Sequence, residues 1–485
     1  MQIFFILGIP IFLCVLTFLL KRHKALGLVN AIGYLAVLIF SIDLFKKIIS
    51  SKSIISFFGF IYLDALSVFF IFVISVVAFA VALYSINYIK KDIDEGVISK
   101  EKAKIYYILF NLFCFSMFFV PAVNNLGMLW VAIEMTTLIS AFLVGFYNTK
   151  ESVEAAWKYI IICSVGIIFA LLGTILFSYA FSMTGLNRSL NWSDMSTLAH
   201  ILDKDILKIA FIFILVGYGT KAGLAPMHTW LPDAHSQAVA PISALLSGVL
   251  LKTSIYAILR FGIIIIKGVG FAYFGNLMIL FGLISLAISC GFILVQKDLK
   301  RLLAYSSIEH VGIISIGFGL GTPLAICGAL LHVFNHAVTK SLMFFGAGNI
   351  ARVYKTHNMN VIRGVIKVLP FTGSMVLMGV FALTGFAPFS IFFSEIIIII
   401  AAFVNDSHLV AAMLLVFLAI IFGGFIYHFG KILFGNLPKG MAVIKEPLSG
   451  KFAFLFLFIL ICVSPIVIVF IKKDLIWIAQ SLFQR

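Results

Sequence analysis

Apolar runs follow one another almost without pause from Gln2 to Ile471, and most are long enough to cross a bilayer. A spanning helix needs about 20 mainly apolar residues. Of the 485 residues, 62% are hydrophobic and 11% are charged. A soluble domain carries about 25% charged residues, so soluble globular folds are excluded. The 52 phenylalanines suit a large lipid-facing surface. The chain reads as an all-α, polytopic integral membrane protein.

Fourteen spans are predicted, near 2–20, 25–45, 64–88, 105–121, 124–147, 155–182, 206–231, 240–262, 271–295, 301–320, 323–351, 365–404, 408–434 and 451–471. The charges Lys21, Arg22 and Lys24 follow the first apolar run. That is the reverse of a signal peptide, so the run is read as a retained first helix. Loops after odd-numbered spans carry about twice as many Lys and Arg as the opposite side, which predicts both termini on the non-cytoplasmic face of the cell inner membrane. The net charge of +16 reflects this bias toward anionic lipid, and a nucleic-acid partner is not expected. The six cysteines stand alone in apolar stretches and read as small fillers, not as a cluster or zinc site.

Two segments break the apolar pattern in the same way. Gly223-Leu224-Ala225-Pro226 in the seventh span is echoed by Gly385-Phe386-Ala387-Pro388 in the twelfth. Proline removes a helix hydrogen bond and glycine eases the bend, so both spans are expected to be broken helices. An ionisable residue lies near each break: Lys221 in the first and Glu395 in the second. Matched breaks in two halves point to a transporter with its ion path at the breaks.

Ionisable residues within the spans carry the chemistry. A charge at the centre of a membrane helix costs roughly 2.5–3.5 kcal/mol on insertion scales. Glu134, Lys221, Lys252 and Glu395 bear that cost. One reading makes them structural ion pairs, with Glu134 neutralising Lys221. The other makes them proton carriers, because a buried lysine with a movable carboxylate partner can hold or release a proton and arginine cannot. His332, His336 and Lys340 recur every fourth residue and share one helix face, with His310 beside Glu309 on the preceding span. Histidines both accept and donate protons, which favours a relay. The His332/His336 spacing also suits a metal, but no cysteine or carboxylate completes a ligand set on that helix, so no metal is expected. The segment from Gly223 to His235 is expected to leave the membrane, with Trp230 at the interface and His228, Asp233 and His235 at the cytoplasmic edge, chiefly as a structural turn. Gly317 to Gly321 follows no strand and is no dinucleotide loop.

Three stretches carry a family resemblance: Lys221 to Phe261 (KAGLAPMHTWLPDAHSQAVAPISALLSGVLLKTSIYAILRF), Gln296 to Gly312 (QKDLKRLLAYSSIEHVG) and His332 to Asn349. They resemble the antiporter-like, proton-translocating membrane subunits of respiratory complex I and related complexes. The likeness covers roughly residues 60–435. It is greatest to the F component of hydrogenase-four and formate-hydrogenlyase complexes, with the M and N subunits of NADH-quinone oxidoreductase close behind.

The resemblance implies about fourteen transmembrane helices and two inverted five-helix repeats with broken helices 7 and 12. The divisions are then 1–104 (helices 1–3), 105–262 (first repeat), 271–434 (second repeat) and 451–485 (C-terminal helix). It implies a proton pathway through Glu134, Lys221, Lys252, His310, His332, His336, Lys340 and Glu395. It also implies membrane and peripheral partner subunits that hold the iron–sulfur clusters and the nickel–iron centre or flavin, with no cofactor in this chain. The largest family member carries a long lateral helix after its last span, and this chain is not expected to be that member. The function implied is proton translocation in a hydrogenase-four or formate-hydrogenlyase complex; a complex I subunit M or N is one alternative, and a cation/proton antiporter or inorganic-carbon uptake subunit of the same fold is the other.

Overall fold

The computed structural model describes all residues except 21–22, 52, 186–188, 437–440, 447 and 484–485. Lys21 and Arg22, which entered the loop-charge reading, therefore lie outside the described residues. In order, the elements are α1 (Gln2–Leu19), α2 (His23–Ser51), β1 (Ser53–Ser56), β2 (Ile61–Asp64), α3 (Ala65–Asp94), α4 (Lys100–Phe119), α5 (Leu126–Val144), α6 (Lys150–Ser182), α7 (Trp192–Thr197), α8 (Lys204–Ala222), α9 (Trp230–Gln237), α10 (Ala240–Leu245), α11 (Leu251–Gly268), α12 (Phe271–Val295), α13 (Leu299–Leu320), α14 (Pro323–Tyr354), α15 (Val365–Val368), α16 (Pro370–Leu383), α17 (Ser390–Val404), α18 (His408–Phe434) and α19 (Leu448–Phe483). A helix satisfies its own backbone, which is what a segment surrounded by lipid requires. Short polar side chains start many of these helices: Asp64, Ser99, Asn125, Thr149, Asp203, Asp298 and Thr322 each accept a hydrogen bond from a backbone N–H of the first turn.

Among the described residues, ten helices are long and apolar enough to cross a membrane. One of them runs continuously through α10 and α11, from Ala240 to Gly268. Shorter apolar helices include α16 and α17. α8 and α14, which carry Lys221 and the His332 face, are not among the ten. The arrangement is layered. α13 is wholly enclosed by protein and the Ala240–Gly268 span almost so, whereas α1 and α18 are largely uncovered. Phe12, Phe18, Phe142, Trp157, Ile168 and Leu409 project outward as apolar surface suited to lipid.

The predicted twelfth span divides into α15, α16 and α17, and the seventh ends at Ala222 and resumes as α9. The two breaks share their local geometry. Gly223 and Gly385 both have positive φ, at 79° and 66°. In each, the next N–H reaches back five residues, from Leu224 to the Gly219 carbonyl (2.9 Å) and from Phe386 to that of Phe381 (3.0 Å). This is the glycine-terminated helix end in which a left-handed residue lets the chain satisfy its last carbonyls. Both Ala-Pro peptides that follow are cis.

Two features depart from the sequence reading. A short antiparallel hairpin, Ser53 opposite Asp64 and Ser56 opposite Ile61, precedes α3. Its second strand also joins the α4–α5 connection, through the Tyr62 N–H to the Ala122 carbonyl at 3.0 Å. The final helix runs on past residue 471 to Phe483.

The hairpin delivers Asp64 to a buried ion pair. Arg260 of α11 donates from both terminal nitrogens to the two Asp64 oxygens, at 2.7 and 2.6 Å. It also donates to Ser67 Oγ and Tyr256 OH, each at 2.7 Å. Its guanidinium lies 4.4 Å from the Trp192 ring centre. Removing one partner of a buried pair strands the other charge. Arg260→Met should therefore destabilise the fold by about 3 kcal/mol, the lower end of the usual range because Asp64 is partly exposed. Thermal melting of the detergent-solubilised protein reads this directly, and an unchanged melting temperature would contradict it.

Candidate functional site

Lys221 closes the last turn of α8, where a cation suits the helix dipole. It is fully buried. Its ammonium donates to Thr137 Oγ1 of α5 at 2.9 Å and to the Tyr159 hydroxyl of α6. It lies 4.6 Å from the centre of the Tyr159 ring and 5.9 Å from that of Trp230. The Tyr159 hydroxyl meets Ser140 Oγ at 2.7 Å. Glu134 is half-buried on α5, one turn before Thr137. One of its oxygens accepts from Ser164 Oγ at 3.0 Å, and the other is buried with no hydrogen-bond partner among the described residues.

The ion-pair alternative finds no support at Lys221. No ion pair links Glu134 to Lys221 among the described residues, and hydroxyls and an aromatic wall hold the lysine instead. Trp230, expected at an interface, is wholly buried and donates its indole N–H to the Thr220 carbonyl at 2.8 Å. The segment after the break turns back into the protein because α9 packs against α6 and α13. Of the three polar residues there, Asp233 does face the rim, where it pairs with Arg301 at 2.9 Å and Lys158 at 3.5 Å. His228 and His235 are buried.

The second cluster is a row of hydrogen-bonded pairs, with a ring-to-ring step between His336 and His310 and a gap of up to 4.8 Å before Glu395. α10 passes into α11 through a π-helical turn, Leu246–Leu250. A π turn inserts one extra residue, and such turns are frequent at functional sites. Lys252, in the first turn of α11, donates back to the Ser247 carbonyl and lies 2.6 Å from His336 Nδ1. The His336 ring is 4.5 Å from that of His310, centre to centre. His310 Nδ1 lies 2.9 Å from His332 Nε2, and His332 Nδ1 lies 2.9 Å from Ser394 Oγ. Glu395 follows Ser394 and brings a carboxylate oxygen within 4.8 Å of ring nitrogens of both His310 and His332. Four helices thus supply one buried row: α11, α14, α13 and α17. Lys340, one turn along α14 from His336, donates to the Leu303 carbonyl at 2.5 Å and to Ser306 Oγ.

Every residue of the row is buried, and several of its atoms are unpartnered among the described residues: His310 Nε2, His336 Nε2 and Glu395 Oε1. Buried polar atoms normally find partners. A row of groups with spare donor and acceptor capacity can pass a proton stepwise where small side-chain turns, or water, close the His336–His310 and His332–Glu395 steps. The structure brings Lys252, His336, His310, His332 and Glu395 together. Among the described residues no hydrogen bond joins Lys221 to Lys252, so the two clusters are separate.

His310, His332 and Glu395 also satisfy the donor count for a metal, because α17 supplies the carboxylate that α14 lacks. Lys252, one imidazole away, would set a positive charge against a cation held there whenever it carries its proton. Sequence reasoning missed the uncharged links Thr137, Tyr159, Ser247 and Ser394. Ser394 had a signal, being the neighbour of Glu395; Tyr159 had none, since nothing in the sequence places α6 beside α8.

The whole arrangement has relatives. The family profile described as NADH:quinone oxidoreductase/Mrp antiporter, TM, matches residues 123–423, and that of complex I chain 5 N-terminus matches residues 55–96. The chain belongs to this NADH:quinone oxidoreductase/Mrp antiporter family of membrane subunits. It is 40% identical over 385 residues to the hydrogenase-4 component F homolog of Methylacidiphilum infernorum, covering 79% of this chain and 80% of that one. It is 31% identical to the D subunit of the Na(+)/H(+) antiporter of Alkalihalophilus pseudofirmus, over 66% of this chain and 64% of the relative. A chain in the structure of the archaeal membrane-bound sulfane sulfur reductase superposes with a TM-score of 0.87 at 25% identity, covering 99% of this chain and 96% of that one.

Proposed function

We propose that this multi-pass membrane protein is the proton-translocating subunit of a membrane-bound oxidoreductase complex of the hydrogenase-four or formate-hydrogenlyase type. The observation that carries the reading is the buried row from Lys252 through His336, His310 and His332 to Ser394 and Glu395. The likeness to a hydrogenase-4 component F homolog supports the assignment to that type of complex. The M and N subunits of complex I share the family and the same expected relay.

In this reading Lys221 and Glu395, each beside its Gly-x-Ala-Pro break, end two half-channels. The halves correspond to residues 105–262 and 271–434, and the matched geometry of the breaks supports that division. Lys252 and the histidines join them, Lys340 tunes the row from the next turn, and Glu134 modulates Lys221 from a distance. The redox chemistry belongs to partner subunits carrying iron–sulfur clusters and a nickel–iron centre or flavin. The protein sits in the cell inner membrane with both termini on the non-cytoplasmic side. Cation/proton antiport is the second reading, favoured by the likeness to a component of an Na(+)/H(+) antiporter.

The test is redox-driven proton uptake by the intact complex in sealed vesicles. Lys221→Arg keeps the charge and the donors toward Thr137 and Tyr159 but cannot release a proton. It should assemble normally and lose coupled uptake. Undiminished uptake would sink the relay. Transport that follows an imposed sodium gradient, with no redox partner present, would favour the antiport reading.

A further inference from the structure

One buried titratable group takes no part in the row just described. His235, on α9, is wholly enclosed, and neither ring nitrogen has a hydrogen-bond partner among the described residues. A histidine kept for packing normally anchors at least one nitrogen. This ring instead lies flat against Phe344 of α14, with centres 5.0 Å apart and planes 18° apart. Phe344 is one turn beyond Lys340 on the same helix. The charged groups around this ring are Lys340, Lys300 and Lys252.

Lys300 approaches the end of the same helix from α13. It stands in the first turn of α13 and is itself buried. Its ammonium donates to the Ala238 carbonyl at 2.8 Å and reaches that of Ser236 at 3.4 Å, the residues that follow His235 and end α9. The residues just before it hold the loop after α14. That loop is fastened by the Leu299 N–H to the His357 carbonyl at 2.9 Å and by the Met359 N–H to the Lys297 carbonyl at 2.8 Å. His357 in this loop is partly exposed. Burial first, and then the Lys300 charge, push its pKa down to about 3. The sequence of groups thus runs from a partly exposed loop, through Lys300, to His235 and then to the two lysines that flank the histidine row.

We propose that His235 is a proton carrier on an uptake branch leading from the loop around His357, through Lys300, to Lys340 and Lys252. A proton arriving from the Lys300 side forms an N–H bond on one ring nitrogen. The N–H bond on the other nitrogen breaks, and its proton passes toward Lys340 or Lys252. The ring then returns to its starting tautomer. Neither nitrogen is tied up by another group, so each is free to take the donor or acceptor that the step needs. The branch rests on the proton-translocating reading above and adds to it a feed into the central lysines that works together with Lys221, not in its place.

His235→Phe tests it, because phenylalanine keeps an aromatic ring against Phe344 and removes only the nitrogens. In vesicles holding the intact complex, this variant should assemble and turn over electrons, yet lose most proton uptake. Its remaining uptake should no longer depend on the pH of the uptake side. Lys300→Met should slow uptake and flatten the same pH profile. If His235→Phe fails to assemble, His235→Gln and Lys300→Met carry the test with the same expected loss. Wild-type uptake with a silent Lys221→Arg variant, but full uptake and an unchanged pH profile in His235→Phe, overturns this branch alone. A wild-type complex that moves no protons overturns the reading beneath it and the branch as well.

Discussion

Gly385→Ala should abolish coupled proton transport, whereas Gly223→Ala, at the matching position of the first break, should leave most of it intact. Both glycines have positive φ, so an alanine at either costs about 1–2 kcal/mol of backbone energy. The difference lies in what the new methyl group meets. At Gly223 it would come 2.6 Å from Cδ1 of Leu231, the far end of a side chain that can turn away. At Gly385 it would sit 1.9 Å from Oε2 of Glu395. The carboxylate must leave its place, and with it the contact that ends the row at His310 and His332. Proton uptake per electron in vesicles, measured alongside assembly of each variant, separates the two effects. Glu395→Gln should reproduce the loss without the backbone cost. Normal uptake in an assembled Gly385→Ala complex would mean that the position of Glu395 is immaterial.

That asymmetry marks where the sequence was informative. The Gly-x-Ala-Pro echo foretold both breaks, because glycine and proline act on the backbone locally and need no tertiary context. The four-residue spacing of His332, His336 and Lys340 foretold one buried face of α14 for the same reason. Glu395 was legible as a charge in an apolar run, but its place beside two histidines was not, since that depends on how α17 lies against α13 and α14. The choice between ion pair and proton carrier at Glu134 and Lys221 was not legible for the same reason: charges on two helices imply a pair only if the helices bring them within reach, and Thr137 and Tyr159 stand at the lysine. Trp230 misled because an indole is as well satisfied by an internal carbonyl as by a membrane interface. The uncharged links were nearly silent, because serine, threonine and tyrosine are common in helices for other reasons.

Lys252 sets the second large expectation. Lys252→Met should assemble the complex and allow electron transfer, while proton uptake per electron falls to the level of passive leak. Methionine fills nearly the same unbranched shape, so packing around α11 is little disturbed. What disappears is the one ammonium at the head of the histidine row, leaving His336 Nδ1 and the Ser247 carbonyl without their donor. Moving one charge against 100 mV costs about 2.3 kcal/mol, and the row can do that work only while each group exchanges a proton with the next. Lys252→Arg separates relay from scaffold. A guanidinium would hold the π turn and His336 at least as firmly, since it offers more donors, but it does not release a proton. A scaffold lysine therefore predicts failure in Lys252→Met and function in Lys252→Arg. A relay lysine predicts loss of transport in both, with assembly intact in each. Coupled uptake retained in the arginine variant would assign Lys252 to the framework and leave the histidines and Glu395 without their connection to the first half.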